Sequence, residues 1–234
     1  MKKKVVLSLI GILFLLNIFA WQEVFDLTLA NNLKVNFLDV GQGDAIFIET
    51  PQFHQILIDG GSSSIVLEKL QKLMPFYDRT IDIVILTHPE KDHMRGLIEV
   101  LKRYKVDYVV WTGIERSTLG YQEWIGVLDK VEKINKTKII TNIFNKQIKT
   151  GNTLITFLYP LKNLTGESIK NTSNDTSIVL KLIFRNNSFL FTGDISNKAE
   201  KELISKEVNL KSDVLKVAHH GSKYSTLDEF LENV

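Results

Sequence analysis

A chain of 234 residues, 44% hydrophobic and 24% charged, has enough apolar side chains to bury one sizeable core or two small ones, which excludes a disordered chain. Its net charge of +2 comes from 29 basic against 27 acidic residues, and with Lys2, Lys3 and Lys4 set aside 26 face 27. That near-neutral remainder excludes the broad basic field that marks many nucleic-acid binders.

The first element is "MKKK" followed by sixteen uncharged residues, "VVLSLIGILFLLNIFA", and Trp21. A positive head on an apolar run is a secretory signal or a membrane anchor, and a buried first helix is rarely headed this way. Sixteen residues rising about 1.5 Å each reach about 24 Å, short of a hydrocarbon core of about 30 Å, which suits a signal peptide. Ile18, three residues before a cleavage point after Ala20, fits an A-x-A pattern poorly, and Trp21 suits a membrane interface. Residues 1–21 are therefore a signal peptide or, by those flanks, an uncleaved anchor, with the lysines inside and the rest exported. The absence of cysteine agrees with an exported protein without disulfides and equally with a cytosolic one.

Residues 33–234 show no repeat or linker and read as one domain. "LKVNFLDV" and "DAIFIET" flank the turn "GQG", and "QILIDGG" follows, all strand-like. Next come "SSIVLEKLQKLM" (helix), "DIVILT" (strand), "GLIEVLKRY" (helix), "DYVVW" (strand) and "STLGYQEWIGVLDKVEKIN" (helix). A second strand group, "NTLITFLY", "TSIVLKLIF" and "SFLFTGD", has "RNNS" as a tight turn and precedes the helix "NKAEKELIS" and the strand "DVLKVA". Two strand-rich halves with intervening helices predict an α/β sandwich of packed sheets covered by helices. Lys130, Lys133, Lys136, Lys138, Lys146 and Lys149 form a local basic cluster interrupted by Asp129 and Glu132, which reads as a solvated face.

Four of the five histidines stand where strands run out. "THPEKDH" places His88, Glu90, Asp92 and His93 in a loop after one strand, and "AHHGS" places His219 and His220 after another. "FTGD" ends a strand on Asp194 and "LIDGG" ends one on Asp59, whereas His54 reads as a loop histidine. Imidazole and carboxylate at strand ends are the donors that Zn²⁺ and Mn²⁺ accept.

"LIDGG", "THPEKDH", "TGDI" and "AHHGS", in this order, resemble the metallo-β-lactamase fold. "FLDVGQGDAIFIETP", "NDTSIVL" and "HHGSKYS" resemble the subfamily found as the C-terminal domain of the DNA-uptake protein ComEC. The resemblance covers nearly everything from Leu33 onward and implies a four-layer αββα sandwich after one N-terminal hydrophobic helix. It also implies a hydrolase with two divalent ions, zinc or manganese. His88 and Glu90 would hold the first, Asp92 and His93 the second, Asp194 would bridge, and His220, directly before Gly221, would close the set in preference to His219. Asp92 would orient the attacking hydroxide, and Asp59 would support the histidine loop from behind.

Departures from the family pattern carry expectations of their own. Glu90 stands where a second histidine or an aspartate is usual, which shifts the site toward manganese or magnesium. Arg95 and Gly96 replace a Gly-Gly pair, and Arg95 either holds a substrate phosphate or is a surface arginine. With no histidine between 94 and 218, Asn174, Asp175 or Ser177 stands at the third ligand motif, Asn174 reading equally as a turn cap. The family pattern continues beyond "HHGSKYSTLDEFLENV" with further strands and another histidine, so the last strands are expected to be missing. In "DVGQGDA", Gly41 and Gly43 suit a hairpin turn and Asp44 caps it, or the loop lies against the site.

The implied activity is phosphodiester cleavage on DNA, with hydrolysis of a small-molecule or envelope ester, or silent binding of DNA or a protein, as the other classes. A chain with a single apolar run cannot be a transport channel, so a role in uptake implies a separate channel protein as partner.

Overall fold

The computed structural model describes residues 2–29, 32–170 and 172–234. Helix α1, Lys2–Leu29, runs well past the sixteen uncharged residues, and its described side chains are exposed. Within it Lys3–Val24 is long and apolar enough to cross a membrane. Those 22 residues rise about 33 Å in total, matching a hydrocarbon core that the shorter apolar run alone would not reach.

Strands β1 (Lys34–Phe37), β2 (Ile46–Glu49), β3 (Gln55–Ile58), β4 (Thr80–Ile85), β5 (Lys105–Val110) and β6 (Lys138–Ile140) form one sheet in that order. Its first three strands are antiparallel, and β3 to β6 are parallel, with helices α2 (Ile65–Leu73), α3 (Lys91–Arg103) and α4 (Leu119–Asn135) as the crossovers. Strands β7 (Gln147–Thr150), β8 (Thr153–Tyr159), β9 (Val179–Phe184), β10 (Asn187–Phe191) and β11 (Val214–Lys216) form the second sheet, in the order β11-β10-β9-β8-β7. Helices α5 (Asn197–Ser205) and α6 (Asp228–Asn233) complete the chain.

Side-chain alternation along the strands divides the core into three layers. In β2 and β3, Phe47 and Leu57 join Leu70, Leu97, Ile98 and Trp124 beneath α2, α3 and α4. Their neighbours Ile46, Ile48, Ile56 and Ile58 face the other way, onto Ile155, Leu180, Leu182 and Phe191 of the second sheet. Val179 and Leu190 point outward from that sheet to Ala199, Leu203 and Phe230 of α5 and α6. The result is the expected αββα sandwich. Strand β3 is buried on both faces, which is why "QILI" reads as a run of apolar residues rather than an alternation.

Four elements depart from the sequence reading: α3, β6, β7 and α6. The loop "HPEKDH" is shorter than expected, because α3 begins at Lys91 and carries Asp92 and His93 in its first turn. Strands β6 and β7 arise from "KII" and "QIKT", within the lysine cluster, and each is the edge of its sheet. All six lysines are exposed, and lysine on an edge strand discourages pairing with another chain. The short α6 is held by Phe230, which is buried.

What brings α3 to the sheet is a contact between backbones. Gly60 N donates to His93 O at 2.8 Å and Gly96 N donates to Gly61 O at 3.0 Å. A Cβ on Gly96 would lie 1.8 Å from Gly60 O, and one on Gly60 would lie 2.4 Å from Leu97 N. Alanine normally stabilises a helix by up to about 1 kcal/mol over glycine. Here the sign should reverse: Gly96→Ala is expected to destabilise the fold by about 2 kcal/mol, read from the denaturant midpoint.

Candidate metal centre

The parallel strand pairs end together, and the residues just beyond those ends converge. Asp59 follows β3, Thr87 and His88 follow β4, Asp194 follows β10, and His219 and His220 follow β11. The β1–β2 turn adds Asp44, and the first turn of α3 adds Asp92 and His93.

Asp59 is the buried anchor. Its φ of 57° is in the left-handed region, and its carboxylate accepts from Thr87 N at 2.8 Å, Thr87 Oγ1 at 2.7 Å and His93 Nδ1 at 2.8 Å. The last contact fixes the imidazole, leaving His93 Nε2 to face the centre. There it stands 3.2 Å from Asp194 Oδ2, and it is buried without a hydrogen-bond partner. His220 Nε2 lies 3.4 Å from the same oxygen and 3.7 Å from Asp92 Oδ2, and His220 Nδ1 lies 3.6 Å from Asp44 Oδ1. Donor atoms of Asp44, His93, Asp194 and His220 all lie within 4.8 Å of one another. His220 reaches this position through strained backbone: His219, His220 and Gly221 have φ of 49°, 52° and 77°. For non-glycine residues that conformation costs about 1 kcal/mol or more each and is retained at functional sites.

His88 completes the wall. Its Nδ1 lies 3.0 Å from Thr87 Oγ1, and its Nε2 is 4.0 Å from Asp194 Oδ2. Glu90 points elsewhere: its Oε1 accepts from Arg116 Nη1 at 2.7 Å and from Ser173 N and Oγ, both at 2.9 Å. Arg95 pairs with Glu123, not with the cluster. His219 faces Asn174, whose Nδ2 is 3.3 Å from its Nε2. Asp175 accepts from Ser196, and Ser177 Oγ accepts from Asp194 N at 3.1 Å, so these two brace the centre from outside.

Two residues were not singled out from sequence as donors or charges at the centre. Asp44 was read as a turn cap, in a loop that the family resemblance could lay against the site, and its carboxylate reaches Lys216 and His220. Lys216 sends its ammonium among the carboxylates, and a lysine inside the apolar run "VLKVA" was the available signal.

The charge balance explains the protonation behaviour. Burial pushes His93 down, but the carboxylates of Asp59 and Asp194 raise it to about 10. Asp194, with Asp44 and Asp92, raises His220 to about 11. Asp92 is held at about 2, chiefly by His220. Asp194, although burial opposes it, is kept far below the usual carboxylate range by His220 and His93. His88, by contrast, is pushed well below its ordinary value by burial and by the charge on His93. Three carboxylates thus converge in a largely buried space that draws cations. Donors 3.2 and 3.4 Å apart match the edge of about 3.4 Å expected when N and O ligands surround one tetrahedral ion, and the unpartnered His93 Nε2 fits as a ligand atom.

The sequence model of the metallo-β-lactamase superfamily matches residues 38–234. The chain belongs to the metallo-β-lactamase superfamily. It is similar to ComE operon protein 3 of Bacillus subtilis, 30% identical over 224 residues that cover 88% of this chain and 28% of that protein. Competence protein ComA of Neisseria gonorrhoeae is 24% identical over 210 residues, 87% of this chain and 26% of that protein. The chain therefore spans about a quarter of the length of these relatives. Among solved structures, the metallo-β-lactamase fold protein YhfI of Bacillus subtilis superposes with a TM-score of 0.51 at 19% identity, over 78% of this chain and 69% of that one, and so shares the fold. As a metallo-β-lactamase superfamily member the chain carries a hydrolase fold with its candidate metal-binding cluster at the strand ends.

Arg116, with only 8% of its side chain exposed, has Glu90 as its carboxylate. Glu90→Ala is expected to lower stability by about 2 kcal/mol and to speed amide exchange in residues 172–176, measured by denaturation and hydrogen exchange.

Proposed function

We propose that the chain is a metal-dependent hydrolase acting on phosphodiesters, DNA foremost, held at the outer face of the membrane by α1. The observation that carries this is the convergence of Asp44, His93, Asp194 and His220 around the unpartnered His93 Nε2, with Asp92 3.7 Å from His220. Asp44, His93, Asp194 and His220 would hold a divalent ion, zinc or manganese, with Asp92 at the margin beside His220. Of the two ions in the family arrangement, the second would rest on a sparser set, His88 and the shared Asp194.

When bound, a divalent ion in such a centre generates a hydroxide and stabilises charge on the phosphoryl oxygens. The chain's own residues supply the rest. Asp59 keeps the proton on His93 Nδ1, so that Nε2 stays available as a donor atom. Asp92, to which Gln42 Nε2 donates at 3.5 Å, would orient the attacking water by accepting its hydrogen bond. The likeness to a competence protein supports DNA as substrate, and in an uptake role the chain would act beside a separate channel protein. The near-neutral net charge supports a second reading, hydrolysis of a small or envelope ester.

Elemental analysis of the full chain, purified in detergent and loaded with zinc or manganese, is expected to find bound metal. An Asp92→Ala, His93→Ala variant should hold none and cleave a model phosphodiester about a hundredfold or more slowly. A metal-free wild-type chain would sink the proposal. Asp59→Asn should keep the ligands but weaken metal affinity by about ten- to a hundredfold in a chelator competition, because the imidazole loses its anchor. Cleavage of DNA should weaken steeply with added salt if DNA is bound through its phosphates, whereas turnover of a neutral ester should not.

A further inference from the structure

Lys216 is the one cation of a non-histidine side chain that contacts the cluster among the described residues, and its surroundings are those of a fixed part. It leaves β11 in register with Phe191 of β10, and its carbonyl accepts from Thr192 Oγ1 at 2.6 Å, so its backbone is pinned. Its side chain is 9% exposed. The ammonium donates to Gly193 O at 2.8 Å, forms an ion pair with Asp44 Oδ2 and lies 3.6 Å from Asp194 Oδ1, which it reaches by charge and not by a hydrogen bond.

Both carboxylates divide their oxygens in the same way. Asp194 turns Oδ2 to His93 and His220 and Oδ1 to Lys216. Asp44 turns Oδ1 to His220 and Oδ2 to Lys216. Each thus spans two positive positions, the imidazole-lined one and the ammonium, as a bridging carboxylate spans two metal ions. Glu90, the residue that would enlarge the set around His88, is engaged by Arg116 and Ser173. A second divalent ion at His88 would find only the Asp194 Oδ2 already shared with His93 and His220, and one bound to Asp194 Oδ1 or Asp44 Oδ2 would have to displace a buried ammonium or sit against its charge.

We infer that the Lys216 ammonium is the resident second cation of this centre, so that the chain binds one divalent ion where the family arrangement has two. The inference rests on the metal-centre reading above. In use, Lys216 would keep Asp44 and Asp194 oriented toward the single ion and offer fixed positive charge beside it.

The test is manganese binding by the full chain in detergent, followed by elemental analysis and by electron paramagnetic resonance at saturation. The wild-type chain should hold one ion with an uncoupled Mn²⁺ spectrum. Lys216→Met, which keeps a comparable stem without charge, should rise to two ions with the signature of a coupled pair, while Lys216→Arg should stay at one. Two ions in the wild-type chain, or one in a folded Lys216→Met chain, would overturn the inference while leaving the metal centre intact. No ion in the wild-type chain would overturn the metal-centre reading and this inference together. Circular dichroism checks that Lys216→Met is folded, and if it is not, the wild-type spectrum decides alone.

Discussion

A single buried carboxylate, that of Asp59, ties the centre to the fold. It receives the backbone and hydroxyl of Thr87 at the end of β4 and the imidazole of His93 on α3, so two strands and a helix meet on one side chain. Burial alone raises its pKa, and the charge of His93 with the Thr87 hydrogen bonds works against that rise. The contact exists because Gly60 and Gly96 allow backbone to touch backbone. A side chain at either position would hold α3 away from the sheet and His93 away from Asp194.

From that anchor the electrostatics follow. Desolvating several carboxylates together is unfavourable unless cations join them. The chain supplies some of that charge itself, through Lys216 and through histidines that bind protons more tightly than usual. The raised proton affinity of His93 and His220 reflects the same field that favours a metal ion, since a proton and an ion compete for one set of lone pairs. His88 differs because it is buried beside His93 and is the farthest of the three histidines from Asp194 Oδ2.

The loops that surround the centre are tied to one another rather than left loose. Glu90 joins the end of the β4 loop to Arg116 and to the turn at Ser173, and that turn carries Asn174 to His219. Asp175 and Ser177 reach Ser196 and Asp194 on the far side. Residues that sequence reasoning offered as third-motif ligands therefore brace the loops of the second sheet, and Glu90 with Ser173 joins them to the first.

The sequence by itself determined the sandwich, because apolar periodicity and turn residues are local signals, and it determined which strand ends carry donors, because histidine and aspartate there have few other uses. It also marked the N-terminal apolar helix. Only the tertiary structure decided which donors meet. His220 and His219 are adjacent in sequence, and three consecutive left-handed residues turn one ring in and the other toward Asn174. Glu90 and Asp92 are equally suitable by type, yet Arg116, 26 residues further along, claims the first. Asp44 and Lys216 belong to motifs far apart, and their meeting depends on the stacking of one sheet's turn over the other sheet's strand end, a contact that no local pattern encodes.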